Sequence, residues 1–427
     1  MADCTDPRLH NQIMYSIFVR NHTPEGTFRA VIPDLPRIRS LGTDIVWLMP
    51  IHPIGVQCRT GTMGSPYANQ DYRAVNPDYG TLDDLKALVE AIHGQGMRVI
   101  IDVVYNHTSP DSVLWRTHPE FFYKRSDGRP GNHVGDWTDI IDLDYTVPAL
   151  WDYQIETLVY WASLVDGFRC DVASLVPVEF WKRARAACEQ VRPGCLWLAE
   201  SVHLGFNHYC RSQGLYAARD PELHQAFDLS YEYDIREAFE KYLRGQASLS
   251  HYLDMLNLQD FLYSPTAIKL RFLENHDQPR IASLVPEESD LINFTAMLYF
   301  LKGTTLLFGG QEVESAHLPA LFERDPVTWH TGKDLSPLLI KLARYKKEVL
   351  SPTDTFFAKA DDEHHVAMMT RDNGKTRKLG VFSLRSQKAQ VTVDLADGVY
   401  TDYLTGEPVT VAQGRLTTQG APLLLGG

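Results

Sequence analysis

Gly167-Phe168-Arg169-Cys170-Asp171-Val172-Ala173 and, further on, Leu196-Trp197-Leu198-Ala199-Glu200 are two apolar runs, each carrying a carboxylate at its end. Between them Val178 to Val191 spaces apolar and aromatic residues at helical intervals. Strand, helix and strand over so short a span make a βαβ unit, whose two strands lie parallel. Both carboxylates then leave the same, C-terminal edge of a sheet, where α/β barrels gather their chemistry. Arg169 and Asp171 are two apart on an extended strand and share a face. A guanidinium beside a carboxylate favours the ionised form, whereas the apolar run before Glu200 favours a raised pKa. One acid kept ionised and one able to hold a proton is the pairing that glycoside cleavage uses.

The same alternation extends in both directions. Ile13 to Val19, Ile45 to Met49 and Arg98 to Val104 read as strands before the central unit. Phe227 to Tyr231, Ile268 to Leu273 and Thr305 to Phe308 read as strands after it. Helical spacing falls over Val31 to Leu41, Leu82 to Gln95 (with Thr81 as its N-cap), Ala149 to Val165, Leu291 to Leu301 and Leu338 to Leu350. Eight strand-then-helix units predict a (β/α)8 barrel, the TIM fold, over residues 1–107 and 149–351. A doubly wound open sheet shares the alternation, but no Gly-rich phosphate loop follows the first strand. Residues 108–148 break the rhythm and read as a short inserted excursion after the third strand. From residue 352 to 427 the pattern changes to period two, an antiparallel, β-sandwich-like C-terminal domain. Asp372-Asn373-Gly374 predicts a hairpin there with a type I′ turn.

Composition narrows the partners. A 427-residue chain with 44% hydrophobic residues can bury a large core, and its net charge of -13 argues against nucleic acid or an anionic membrane surface. No apolar run is long enough to span a bilayer, and the first residues lack a basic region followed by an apolar one. The expected location is therefore the cytoplasm, with Cys4, Cys58, Cys170, Cys188, Cys195 and Cys210 as free thiols. None forms a C-x-x-C pair, which argues against zinc. Oligomeric state is not legible.

If the barrel closes, its mouth collects Asn106 and His107 from strand three, Arg169 and Asp171 from strand four, Glu200 from strand five, and His276 and Asp277 from strand seven. Tyr67 lies on the long loop after strand two. Each residue has a structural explanation taken singly, such as a helix N-cap or an ion pair. A metal reading of the two histidines lacks a local H-x-H or H-x-x-x-H pair.

These segments resemble the α-amylase family, glycoside hydrolase family 13. The matching pieces are Asp102-Val103-Val104-Tyr105-Asn106-His107, Gly167 to Ala173, Leu198-Ala199-Glu200 and Phe272-Leu273-Glu274-Asn275-His276-Asp277, in the family's order. Ser65-Pro66-Tyr67 and Gly310-Gln311-Glu312 support them. The resemblance implies that Asp171 is a nucleophile, Glu200 a general acid/base, and Asp277 a third carboxylate that holds and distorts the sugar. It implies that His107 and His276 bond sugar hydroxyls, that Arg169 orients Asp171, and that Tyr67 stacks on the sugar ring. The implied activity is retaining cleavage of α-glucosidic bonds in short maltooligosaccharides, with a transglycosylase as the alternative and a catalytically inactive binding relative as a further one. The three carboxylates are all present, which speaks against the inactive relative. Asn106 matches a calcium ligand of the family. Ser174 and Leu175 stand where many α-amylases carry Lys and a calcium-linked His, so the expected cofactor complement is none, with calcium argued against.

Overall fold

The computed structural model describes residues 5–134 and 137–426. Cys4 lies outside them, and Cys58, Cys170, Cys188, Cys195 and Cys210 are free thiols. Eight strands are needed to follow the chain: β1 (Ile13–Ile17), β2 (Ile45–Leu48), β3 (Arg98–Val103), β4 (Gly167–Cys170), β5 (Leu196–Ala199), β6 (Leu229–Tyr231), β7 (Ile268–Arg271) and β8 (Thr304–Phe308). They close into a barrel in which every neighbouring pair is parallel and β1 meets β8. The (β/α)8 fold expected from the strand–helix rhythm is the observed one.

Local sequence explains the elements. Helix α1 (Leu82–Gly94) starts at a capping box: Asp84 N–H donates to Thr81 Oγ1 at 3.2 Å and Thr81 N–H to Asp84 Oδ2 at 2.8 Å. Helix α2 (Val178–Val191) covers the expected span and buries Trp181, Ala184 and Cys188, spaced three and four apart, against the barrel. The helix expected over Val31 to Leu41 is instead broken into Phe28–Val31, a 3-10 turn at Ile32–Asp34, and Leu35–Ser40. Pro33 and Pro36 each remove a backbone donor there and prevent one continuous α-helix.

The segment between β3 and the helix Pro148–Ala162 is an excursion with little regular structure. A two-residue antiparallel ladder joins His107–Thr108 to Ile141–Asp142, and a short helix follows at Val113–Thr117. The ladder returns the chain to the barrel mouth beside His107.

After the barrel, β9 (Thr355–Asp361), β10 (Val366–Asp372), β11 (Arg377–Ser383) and β12 (Leu423–Leu425) form one antiparallel sheet. Its two faces bury different cores, as period two requires. Ala367, Met369 and Phe382 join the barrel's core, while Val366, Met368 and Val381 pack on the strands Ala389–Thr392 and Arg415–Thr418. The turn between β10 and β11 differs from the type I′ expectation. Asp372 pairs with Arg377 across a four-residue loop, and only Gly374 in it has positive φ. The cause is Asn373, whose Oδ1 accepts from Lys375 N–H at 3.0 Å and Thr376 N–H at 2.9 Å, a side-chain turn that needs the extra residues.

One close approach sets the spacing at the centre. Gly167 pairs with Leu196, and a Cβ on it would sit 2.2 Å from Leu196 O. Backbone atoms of a barrel strand cannot step aside. Gly167→Ala should therefore lower stability by at least about 1–3 kcal/mol through overpacking. A thermal midpoint equal to that of the parent protein would contradict this reading of the β4–β5 contact.

Candidate active site

Register brings the two acid-bearing strands level: Cys170 pairs with Ala199, so Asp171 and Glu200 emerge side by side. Arg169, fully buried, holds them together. Its Nη1 donates to Asp171 Oδ1 at 2.8 Å and to Asp102 Oδ1 at 2.8 Å, and Nη2 lies 2.9 Å from Glu200 Oε2. Its Nε donates to Tyr231 Oη at 3.3 Å. The guanidinium carbon also stands 5.3–5.5 Å from the ring centres of Trp47, Tyr67 and Tyr231. A cation so desolvated is stabilised chiefly by its carboxylates, and stripping one away costs ~3–5 kcal/mol in such a setting.

Backbone strain completes the arrangement. Val172, β-branched, has φ 35° and ψ 44°, a left-handed conformation that costs about 1–3 kcal/mol. It turns the Val172 N–H onto Glu200 Oε2 at 2.8 Å. The next residue locks the turn, with Ala173 N–H donating to Glu200 O at 3.0 Å.

A second group faces the first. His276 Nε2 lies 3.1 Å from Asp277 Oδ2 and 2.7 Å from Tyr67 Oη, which donates to Asp102 Oδ2 at 3.2 Å. The Tyr67 ring stacks on His276 at 5.4 Å and 15°. Asp277 has the most open carboxylate of the set, 39% exposed. His107 is buried at the excursion's edge, its ring 5.7 Å from Trp137 and its carbonyl accepting from Tyr72 Oη at 2.6 Å. The mouth thus gathers Asp171, Glu200, Asp277, Tyr67, Arg169 and His276 in one bonded network, with His107 on its rim.

One guanidinium cannot neutralise three buried carboxylates. Burial raises Glu200 most, to about 8, against the pull of Arg169 and with the repulsion of Asp171 and Asp277 added. Burial also pushes Asp171 up to about 6, despite Arg169. Arg169 does favour the ionised form, as expected, but burial outweighs it, and the guanidinium is shared with Asp102 and Glu200. Burial would raise Asp277 as well, but His276 holds it below the usual range, and Asp277 in turn raises His276. Of the two, Glu200 is the more strongly disfavoured as an anion, so it is the one that holds a proton to higher pH.

Asp102, Trp47, Tyr231 and Tyr233 were not singled out from sequence. An aspartate inside the apolar run Arg98 to Val104 was the available signal, since a buried charge needs a partner.

The comparisons with known proteins fit this geometry. The profile of the α-amylase catalytic domain matches residues 11–127 and 133–375, and that of the bacterial α-amylase C-terminal domain matches residues 357–425. This chain belongs to the α-amylase family. The crystal structure of an α-amylase from Lactobacillus plantarum is 43% identical, with a TM-score of 0.95 over 99% of this chain and 100% of that one. The maltogenic α-amylase AmyB from Thermotoga neapolitana is 32% identical, with a TM-score of 0.87 over 98% of this chain and 99% of that one. An α-1,4-glucan:maltose-1-phosphate maltosyltransferase from Rhodospirillum rubrum is 34% identical over 46% of this chain, which spans 32% of that protein's length. Among the described residues no helix is long and apolar enough to cross a membrane.

The α-amylase family's calcium position can be tested on these residues. A cavity of about 400 Å³ is bordered by Asn106, His133, Asp142, Asp144, Leu175 and Pro177. His133 takes Asp142 Oδ2 with its N–H at 2.7 Å and its Nδ1 at 2.9 Å, and Thr146 takes Asp144 Oδ1 through N–H and Oγ1. Asp142 Oδ1 and the Asn106 side-chain oxygen remain, the Asn106 Nδ2 lying 3.2 Å from His107 Nδ1, opposite an apolar wall of Leu175 and Pro177. Calcium wants six to eight oxygens, and among the described residues no three His, Cys, Asp or Glu side chains converge. The residues do not fit the ion.

Two outcomes follow from the site. The fold favours protonated Glu200, so its contribution to stability is full below about pH 4.5 and is lost as pH rises through about 8. Glu200→Gln cannot ionise, so its thermal midpoint should gain on the parent's steadily between pH 5 and 8; parallel profiles would contradict the raised pKa. Exhaustive EDTA treatment should leave the midpoint unchanged, whereas His133→Ala, which frees Asp142, should lower it. A midpoint that falls with EDTA and recovers with added calcium would show a site these residues do not form.

Proposed function

We propose that this chain cleaves α-glucosidic bonds, chiefly α-1,4, in short maltooligosaccharides, with retention of configuration. The observation that carries the reading is the Arg169-bridged pair of buried carboxyls, Glu200 being the more disfavoured as an anion. Supporting it are the relatives named as α-amylase and maltogenic α-amylase over the whole chain.

In this reading Asp171 is the nucleophile. Arg169 occupies its Oδ1, so Oδ2 is the oxygen free of the guanidinium. Oδ2 attacks the anomeric carbon, the C1–O bond breaks towards the leaving oxygen, and that oxygen takes the proton of Glu200. Glu200, now a carboxylate, removes a proton from water; the hydroxide oxygen attacks C1 and releases Asp171. The proton taken from that water restores the Glu200 acid for the next turnover, a state its raised pKa favours. Asp277, His276 and His107 bond the hydroxyls of the sugar in the cleavage subsite, and Tyr67 packs beside it. Substrates are expected to be short because the excursion after β3 is short and Ser174 replaces an acceptor-side lysine.

A second reading has its own support. The Rhodospirillum rubrum relative is a maltosyltransferase. If a sugar hydroxyl replaces water in the second step, the same residues perform transglycosylation.

Asp171→Asn should remove at least about four orders of magnitude of turnover with the fold intact, as no nucleophile remains. Glu200→Gln should slow sugar leaving groups far more than activated aryl ones, which depart without protonation. The products from maltotriose, maltoheptaose, isomaltose and sucrose, resolved by chromatography, distinguish hydrolysis from transfer and fix the linkage. Near-normal turnover in Asp171→Asn would overturn the proposal.

A further inference from the structure

Beneath His276 the barrel keeps a small cavity of about 10 Å³. Ser16 of β1, His22 shortly after it, His276, and Phe308 and Gly309 at the end of β8 border it; among the described residues no carboxylate does. Ser16, His22 and His276 are each more than nine-tenths buried. The other polar side chain on the wall, Asn21, is already engaged. Its Nδ2 donates to Ala320 O at 3.3 Å and its Oδ1 accepts from Asp325 N–H at 3.0 Å. The rest of the wall is apolar.

Each imidazole is bonded to the described residues at Nε2 alone. His276 Nε2 faces the Asp277 carboxylate and Tyr67 Oη, which itself donates to Asp102, so Nε2 carries a proton. His276 Nδ1 has no hydrogen-bond partner among the described residues, and neither has Ser16 Oγ. His22 Nε2 lies 2.8 Å from Asp34 Oδ2, which leaves its Nδ1 as an acceptor. That Nδ1 is turned towards Gly309, where a Cβ would stand 3.6 Å from it. Buried polar atoms are costly unless bonded, and three of them meet around this one cavity.

We propose that a single bound water joins Ser16 Oγ, His22 Nδ1 and His276 Nδ1, and that Ser16 is thereby a positioning residue for His276. The proposal rests on the glycosidase reading above, in which His276 holds a sugar hydroxyl. The size fits one molecule, since a buried water takes about 10–15 Å³ on this measure and two to four polar partners. The hydrogens balance: the water accepts from the Ser16 hydroxyl and donates one hydrogen to each imidazole. A cation would find no carboxylate on the wall, and an anion would find too few donors. Packing against Tyr67 and Trp47 fixes the plane of the His276 ring, whereas hydrogen bonds fix which edge faces the sugar. Asp277 and Tyr67 hold one edge, and the water holds the other.

The test combines a high-resolution crystal structure of the full chain with kinetics on a nitrophenyl α-maltoside. The parent crystal should show one ordered water within about 3.2 Å of Ser16 Oγ and both Nδ1 atoms, and Ser16→Val should lose it. Ser16→Val should also lower kcat/KM by about five- to fifty-fold, mainly through kcat. Ser16→Thr, of the same shape but with the hydroxyl kept, should retain most of the parent value. In a His276→Ala background Ser16→Val should cost little more, because a positioning residue acts through the side chain it positions. If Ser16→Val does not fold, Ser16→Ala takes its place in the same comparisons. No water at that position, equal losses in Ser16→Val and Ser16→Thr, or an undiminished loss in the His276→Ala background would overturn the proposal while leaving the glycosidase reading in place. A parent enzyme that cleaves no α-glucoside would overturn that reading and the role of Ser16 with it, while the crystal still decides the water site.

Discussion

The mouth of this barrel depends on a charge imbalance around Arg169. A single desolvated guanidinium meets Asp102, Asp171 and Glu200, with Asp277 close enough to repel Glu200. Such a cluster cannot ionise completely, and the protein does not compensate it with a second fixed cation among these contacts. The imbalance places a proton on the most disfavoured acid, Glu200, instead of distributing charge evenly. Aromatic walls from Trp47, Tyr67 and Tyr231 keep water from relaxing it. The polarity of the site thus arises from what is missing as much as from what is present.

Much of this was legible from the chain. Apolar runs alternating with period 3.6 placed all eight strands to within a few residues, since buried parallel strands are nearly continuous apolar runs with sharp ends. The strand-end position of Asp171, Glu200 and Asp277 then followed from topology alone. Local chemistry was legible where it is local, as in Thr81 capping α1.

What sequence could not supply was contact between distant segments. Asp102 reaches Arg169 across the strand pair β3–β4; its place in an apolar run calls for a partner but does not say which. The raised value at Asp171 depends on how many acids share one guanidinium, a count that needs coordinates. The left-handed Val172 is invisible to propensity, because valine is among the residues least suited to that conformation. The aromatic row from His107 through Trp137 and Phe206 to Tyr209 joins the excursion to the helix Leu204–Ser212, and their spacing in sequence carries no hint of it.

The sheet after the barrel has one face in each of two cores. Ala367, Met369 and Phe382 lie with the barrel, and buried Arg371 donates to Phe300 O at 3.1 Å and Ser351 O at 2.7 Å. It is therefore no detachable module: truncating the chain before β9 would expose barrel side chains and orphan the Phe300 carbonyl together. Melting should proceed as a single cooperative transition. Grafting a different C-terminal sheet onto this barrel would require its inner face to be matched to residues that belong to the barrel's own helices.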